Sequence, residues 1–347
     1  MLKNENGRPL VVDAVLFNGE LEILKLRMKY LQAHVDKFVV GQAEVTFSNK
    51  EREIIPIKQT DPIFAEYGDR LDCVTLESVR DSDLWKTERS QRESLLRHIG
   101  RNYGTHHILF CDVDEIPSTD QVLEVKELTR GVFSIPMKMT YIFVNGVVVR
   151  SEKAWSYAKA ISSDALLNAS LDLGRVREMN VTELKSTNWG CHFSYFLHGG
   201  EEIDRKFKSF SHNEYDFKAA NNLKLMEIAS KYAISPLGNF REKGYGLLKL
   251  EDQSKFNDIQ LFAASQFPNS IKKSSPAIPM IRLYYSHQIT RYQKSRGEHE
   301  LEYGIHMKRF VDFVFSLISI QLERFIYTLR ISKIRIVRLL NTLLFKV

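Results

Sequence analysis

A chain of 347 residues, 44% hydrophobic and 27% charged, can bury a large core and reads as an ordinary folded protein rather than a disordered segment or a repeat array. Six basic and no acidic residues follow from Arg324 onward and account for the formal net charge of +6, so the rest is near neutral and a broad nucleic-acid surface is excluded. Cys73, Cys111 and Cys191 lack metal-ligand spacing, residues 1–9 lack the apolar core of a signal peptide, and no apolar run reaches a membrane span; reduced thiols and a cytoplasmic location are expected.

In chain order, residues 11–17 (VVDAVLF) predict a strand, Asn18-Gly19 a turn, and residues 20–33 a helix with Leu21, Leu24, Met28 and Leu31 on one face. A second strand over residues 37–40 completes a strand-helix-strand opening of the kind that begins a doubly wound α/β sheet. Residues 71–76 predict another strand, and the stretch from Leu84 through Ile99 a helix. Within that helix Glu88 and Arg92 are four apart, which suits a helix-surface ion pair; an arginine fork also suits phosphate oxygens.

The most informative stretch is HILFCDVDEIP, residues 107–117. Its apolar half predicts a strand buried on both faces, which places Asp112 and Asp114 at the carboxyl end, where open α/β sheets bind ligands. Two carboxylates that close repel one another, and a divalent cation commonly keeps both ionised. An acidic turn before a helix is the plainer account, since Ser118 and Gln121 fit a capping box ahead of Val122, Val125 and Leu128.

Residues 132–136 continue the sheet, and Asn145-Gly146 between β-rich arms predicts a hairpin over residues 138–149. Trp155 and Tyr157 follow on an extended segment, suited to burial or to stacking on a sugar. A second distinctive stretch runs WGCHFSY at 189–195, then Gly199, Gly200, Glu201, Glu202, Ile203 and Lys206, closing with SFSHNE at 209–214. Residues 218–233 predict a helix, residues 238–246 a loop, and residues 267–279 a Pro- and Ser-containing linker. The domain expectation is a body over 1–266, a linker over 267–280 and a helical basic extension over 281–347.

In that extension Arg324, Arg335, Arg338 and Lys346 fall on one arc of a helical wheel, and Phe325, Leu329, Ile336, Leu340 and Leu343 on another. Such a helix can lie on an anionic membrane surface, or pack its apolar face on protein.

Residues Phe17-Asn18-x-Glu20 with Leu24 and Arg27, Trp85-x-x-Glu88-x-x-x-Arg92, Asp112-x-Asp114-Glu115-Ile116-Pro117, and the later His192, Ser194, Lys206, His212 and Glu214 together resemble glycosyltransferase family 17, whose members include β-1,4-mannosyl-glycoprotein N-acetylglucosaminyltransferases. The resemblance covers roughly residues 11–217. It implies a GT-A-like α/β fold, a mixed sheet flanked by helices, and inverting transfer from a nucleotide-sugar, with UDP-N-acetylglucosamine the family's donor.

By the same resemblance Asp112 and Asp114 would hold Mn²⁺ or Mg²⁺, and Phe17, Asn18 and Glu20 would lie on the donor side, with Arg92 aimed at its phosphates. His212 either completes the metal shell or is a hydrogen-bonded structural histidine. Glu201 or Glu202 is expected as the base for the acceptor hydroxyl, on a glycan or lipid-linked glycan, or else decorates a helix N-terminus. Two departures stand out: Gln42 where the family usually has Glu, and Cys191 where it has Trp. They motivate a second reading, a non-catalytic glycan- or nucleotide-sugar-binding module on a degenerate fold.

Overall fold

The computed structural model describes residues 8–52, 56–148, 154–168, 170–196, 206, 219–236, 247–274, 279–294 and 313–314. Strands β1 (Leu10–Leu16), β2 (Lys37–Ala43), β3 (Leu71–Leu76) and β4 (His106–Asp112) run parallel in the order β3-β2-β1-β4. Helices α1 (Leu21–Leu31) and α2 (Leu84–Asn102) connect them, as the opening periodicity predicts. The sheet then continues with two strands the sequence does not order in this way. β9 (Lys159–Ser162) pairs antiparallel with β4, and β6 (Val132–Ser134) pairs antiparallel with β9.

Strand alternation decides which helix meets which side chain. In β1, Val11 and Val15 share a core with Leu24 and Met28 of α1, whereas Val12, Ala14 and Leu16 pack with Leu95, Leu96 and Ile99 of α2. Asp13 has the same parity as Val11 and Val15, and it meets Arg27 of α1 inside the protein. The pair joins through two bonds, Arg27 Nε to Asp13 Oδ2 at 2.7 Å and Nη2 to Oδ1 at 2.5 Å, with the arginine side chain 0% exposed. In β4, Ile108 and Phe110 join the α2 side and Leu109 and Cys111 the α1 side.

A second sheet joins the end of the acidic turn, the hairpin region and two later strands: β5 (Glu115–Ile116), β7 (Met137–Tyr141), β8 (Gly146–Val148), β10 (Gly190–Ser194) and β11 (Leu248–Leu250). Their order is β11-β8-β7-β10-β5. β7 and β8 form a hairpin as expected, but the chain turns over residues 142–145 and Gly146 already lies in β8, so Asn145-Gly146 is not its two-residue turn. Helix α3 (Thr119–Lys126) starts at the Ser118–Gln121 capping box, both halves of which are formed.

Among the later elements are a short helix α4 (Ser163–Leu166), α5 (Ala219–Tyr232), α6 (Asp258–Gln266) and α7 (Pro279–Lys294). Arg282 of α7 donates to the Tyr232, Ala233 and Leu248 carbonyls. The chain divides into two compact units, residues 1–301 and 302–347, so α7 lies within the first. The basic tail from Arg324, Glu201, Glu202, His212 and the loop 238–246 lie outside the described residues; Lys206 is described.

Candidate active site

Two loops meet at the carboxyl ends of neighbouring parallel strands. β1 and β4 are in register, with Leu16 opposite Asp112, so residues 17–20 and residues 112–115 emerge side by side. The acidic segment is then clamped from behind. Arg27, fixed by Asp13, sends Nη1 to the Glu115 carbonyl at 2.5 Å and to the Asp112 carbonyl at 3.3 Å. A guanidinium committed on both edges sets the path of the acidic turn as an arginine on a helix surface could not.

From the front the clamp is Arg177, in a 3₁₀ helix over Leu173–Glu178. It donates to both Glu115 carboxylate oxygens at 2.7 Å and to Asp112 Oδ2 at 3.0 Å. Burial opposes charge on Glu115, but Arg177 outweighs it and holds the carboxyl at about 2. The Trp155 indole N–H adds a bond to Glu115 at 2.5 Å, and the Asp112 backbone N–H one at 2.8 Å. Glu115 thus organises the turn rather than serving as a free carboxylate.

The two aspartates face different cations. Asp112, on the α2 side of β4, meets Arg177 and, at 3.3 Å, Arg92. Burial pushes its carboxyl up, with Arg177 only partly compensating, and 38% of its side chain remains exposed. Asp114 faces the other way, 2.8 Å from Lys206 Nζ and 3.5 Å from His192 Nε2. Burial acts against its charge too, but Lys206 and His192 win, and Asp114 stays well below the usual carboxylate range.

On the donor side, the ion pair expected within α2 is present but not on a surface. Arg92 and Glu88 are 2.5 Å apart, with side chains 11% and 8% exposed. Arg92 extends beyond that pair to Asp112, and its buried Nε–H has no hydrogen-bond partner among the described residues. Glu20 accepts from the Asn18 backbone N–H at 3.0 Å; burial pushes its carboxyl up, Lys206 pulls it down and Asp114 raises it again. Glu20 therefore sits in the field of the acidic turn. Phe17 is buried, and its carbonyl takes a 2.5 Å bond from Arg52 Nη1. The site thus joins Asn18, Glu20, Arg92, Asp112, Asp114 and Lys206. The motif residues gave no sign of Arg177 or Arg52, which come from segments without a patterned signature.

The two departures have structural explanations. Gln42 pairs with both backbone groups of one residue, accepting from Ile57 N at 2.9 Å and donating to Ile57 O at 2.8 Å. A carboxylate could make only the first of these bonds. Cys191 alternates with His192 on β10, so it points away from Asp114 and packs against Asn257, whose Nδ2 lies 3.3 Å from the sulfur. Neither residue removes a group from the acidic site, and the degenerate-module reading loses both of its motives.

A family model for glycosyltransferase family 17 matches residues 2–231, well over half of the chain. The chain belongs to glycosyltransferase family 17. It is a glycosyltransferase, and membership implies in general terms a nucleotide-sugar donor and a glycan acceptor. No curated protein matches it. The matched span includes every loop that builds the acidic site.

For a metal, the donor set has the right chemistry in part. Magnesium-type sites are commonly completed by one or two carboxylates plus substrate phosphates. Asp112 fits such a site: it is a hard oxygen ligand at a strand end, and it is partly exposed. Asp114 is already neutralised by Lys206. Among the described residues no three His, Cys, Asp or Glu side chains are arranged to hold an ion on their own.

Proposed function

We propose that the chain moves a sugar, with N-acetylglucosamine the first candidate, from a UDP-sugar to a glycan hydroxyl with inversion, on a GT-A-like arrangement of the parallel sheet. The observation that carries this reading is the partly exposed carboxylate of Asp112 at the end of β4, held between Arg92 and Arg177. Asp112 would hold Mn²⁺ or Mg²⁺ together with the donor phosphates, with Asp114 kept to its Lys206 pair. That ion would supply Lewis-acid stabilisation of the leaving diphosphate.

The chain's own residues do the rest. Arg92, whose Nε–H has no partner among the described residues, offers a planar charged fork to phosphate oxygens. Arg52 carries a second buried Nε–H with no partner among those residues, beside the Phe17 carbonyl. Asn18 and Glu20 lie beside the acidic turn, where they would orient a ribose or phosphate by hydrogen bonds. Lys206 keeps Asp114 ionised and restrains charge repulsion within the turn. Glu201 or Glu202 remains the proposed base, accepting the proton of the acceptor hydroxyl as the anomeric carbon is attacked.

A thermal-shift panel of nucleotide-sugars, with and without Mn²⁺, tests the reading. One UDP-sugar should raise the melting temperature, and more so with the ion present, because a ligand that binds only the native state stabilises it. If no nucleotide-sugar shifts the transition under either condition, the donor assignment fails.

A further inference from the structure

A short hairpin over residues 44–52 carries a cation to the edge of the acidic site. It leaves the end of β2 and folds back on itself through bonds from Thr46 N to Lys50 O at 2.8 Å, Asn49 N to Thr46 O at 3.1 Å and Arg52 N to Glu44 O at 3.0 Å. Asn49, at a φ of 60°, supplies the left-handed residue of this reversal. Buried side chains of α2 then fix the hairpin in place. The Thr87 hydroxyl donates to Asn49 Oδ1 at 2.7 Å, and Gln91 Nε2 donates to the Val45 carbonyl at 3.1 Å. Asn49 Nδ2 donates in turn to the Asp81 carbonyl just ahead of α2. At the end of the hairpin stands Arg52, whose Nη1 reaches the Phe17 carbonyl at 2.5 Å. Phe17 follows Leu16, the β1 residue opposite Asp112 in β4.

That carbonyl occupies only part of the guanidinium. The buried Nε–H of Arg52 has no partner among the described residues. Glu20 is the acid whose charge acts on it, but burial outweighs that charge and holds Arg52 below the usual arginine range. Glu20 is itself engaged with the Asn18 backbone N–H and lies in the field of Lys206. Buried cations are normally paired, so a guanidinium short of both an acceptor and a counter-charge marks a place for an anion. Arg92 repeats the pattern, reaching Asp112 at 3.3 Å with its own buried Nε–H unpartnered among the described residues. The two points of contact, the Phe17 carbonyl and the Asp112 carboxylate, lie on adjacent strands about 4.8 Å apart and one residue out of step.

We propose that Arg52, on its braced hairpin, and Arg92, on α2, hold the diphosphate of the donor between them, which sets a preference for nucleoside diphosphates over monophosphates. This rests on the glycosyl-transfer reading of the acidic site. A planar fork matches phosphate oxygens, and two forks suit two phosphoryl groups better than one.

The test is calorimetric titration of the full chain with nucleoside diphosphates and the matching monophosphates, at constant Mg²⁺. The wild-type protein should bind one diphosphate at least tenfold more tightly than its monophosphate. Arg52→Gln should weaken diphosphate binding about tenfold and narrow that ratio. Arg52→Lys keeps the charge without the fork and should give an intermediate ratio; it carries the test alone should the glutamine protein not fold. An unchanged ratio in the variants overturns the proposal, whether both ligands weaken equally, as loss of a mere brace at Phe17 would cause, or neither does. Equal affinity of the wild type for the two ligands overturns it as well. A wild type that binds no nucleotide overturns the transfer reading, and this contact with it.

Discussion

Arg177 shows how much of the site depends on a residue outside any motif. Three oxygens on two carboxylates converge on its guanidinium, and both Arg177 and Glu115 are buried. Removing one partner of a buried ion pair leaves the other charge uncompensated. Arg177→Met should therefore cost about 3–5 kcal/mol in urea unfolding at pH 7, and Glu115→Gln in the Arg177→Met background should recover part of it. The pH dependence has a definite sign. Glu115 ordinarily titrates near 4.5 and is held at about 2 in the folded protein. Its stabilisation is thus complete above 4.5 and fades as the pH falls towards 2. Glu115→Gln should flatten that part of the profile, and an unchanged acid slope would show that the ion pair contributes nothing net. The acidic residues were legible as a turn at the carboxyl end of a strand, because the buried apolar run stops at them. Arg177 was not, since a lone arginine in a polar segment gives no period and no cap.

The elements show the same division. The four parallel strands, α1, α2 and the capping box of α3 follow from alternation, amphipathic spacing and turn chemistry, each local in sequence. The second sheet does not. It depends on β10 lying parallel to β7 and antiparallel to β5, and such pairing leaves no trace in local periodicity. Gly190 at the start of β10 marks the contact. A Cβ there would meet the Ile116 carbonyl oxygen and stand 2.7 Å from Pro117 Cα, both backbone atoms that cannot step aside. Gly190→Ala should push β10 off the acidic turn, cost about 1–3 kcal/mol as overpacking, and lower transfer through the displaced His192. Gly100→Ala is a suitable comparison, because its Cβ meets only the flexible end of Leu166, at 3.2 Å. Equal stability of the two variants in urea melts would contradict the close approach.

At the scale of the whole molecule, the catalytic family covers residues 2–231, and the concentrated positive charge begins at Arg324. No helix among the described residues is long and apolar enough to cross a membrane. For the basic tail the sequence gives the expectation of contact with anionic lipid near a lipid-linked acceptor. Liposome flotation should show binding that requires anionic lipid, weakens in high salt and disappears when residues 324–347 are removed, with each basic residue near the surface adding about 1 kcal/mol. Equal flotation of the truncated and full chains would assign the tail to protein packing.

The central claim is that the carboxylate of Asp112, at the end of β4, carries the transfer. The most direct measurement is product formation from the nucleotide-sugar selected by thermal shift, comparing wild type with Asp112→Asn at equal fold stability. Asparagine keeps the volume and removes the charge, so the variant should still melt cooperatively. Its rate should fall by about 10²–10³, the loss ordinary for one preorganised electrostatic group. An Asp112→Asn protein that turns over at the wild-type rate would contradict the account.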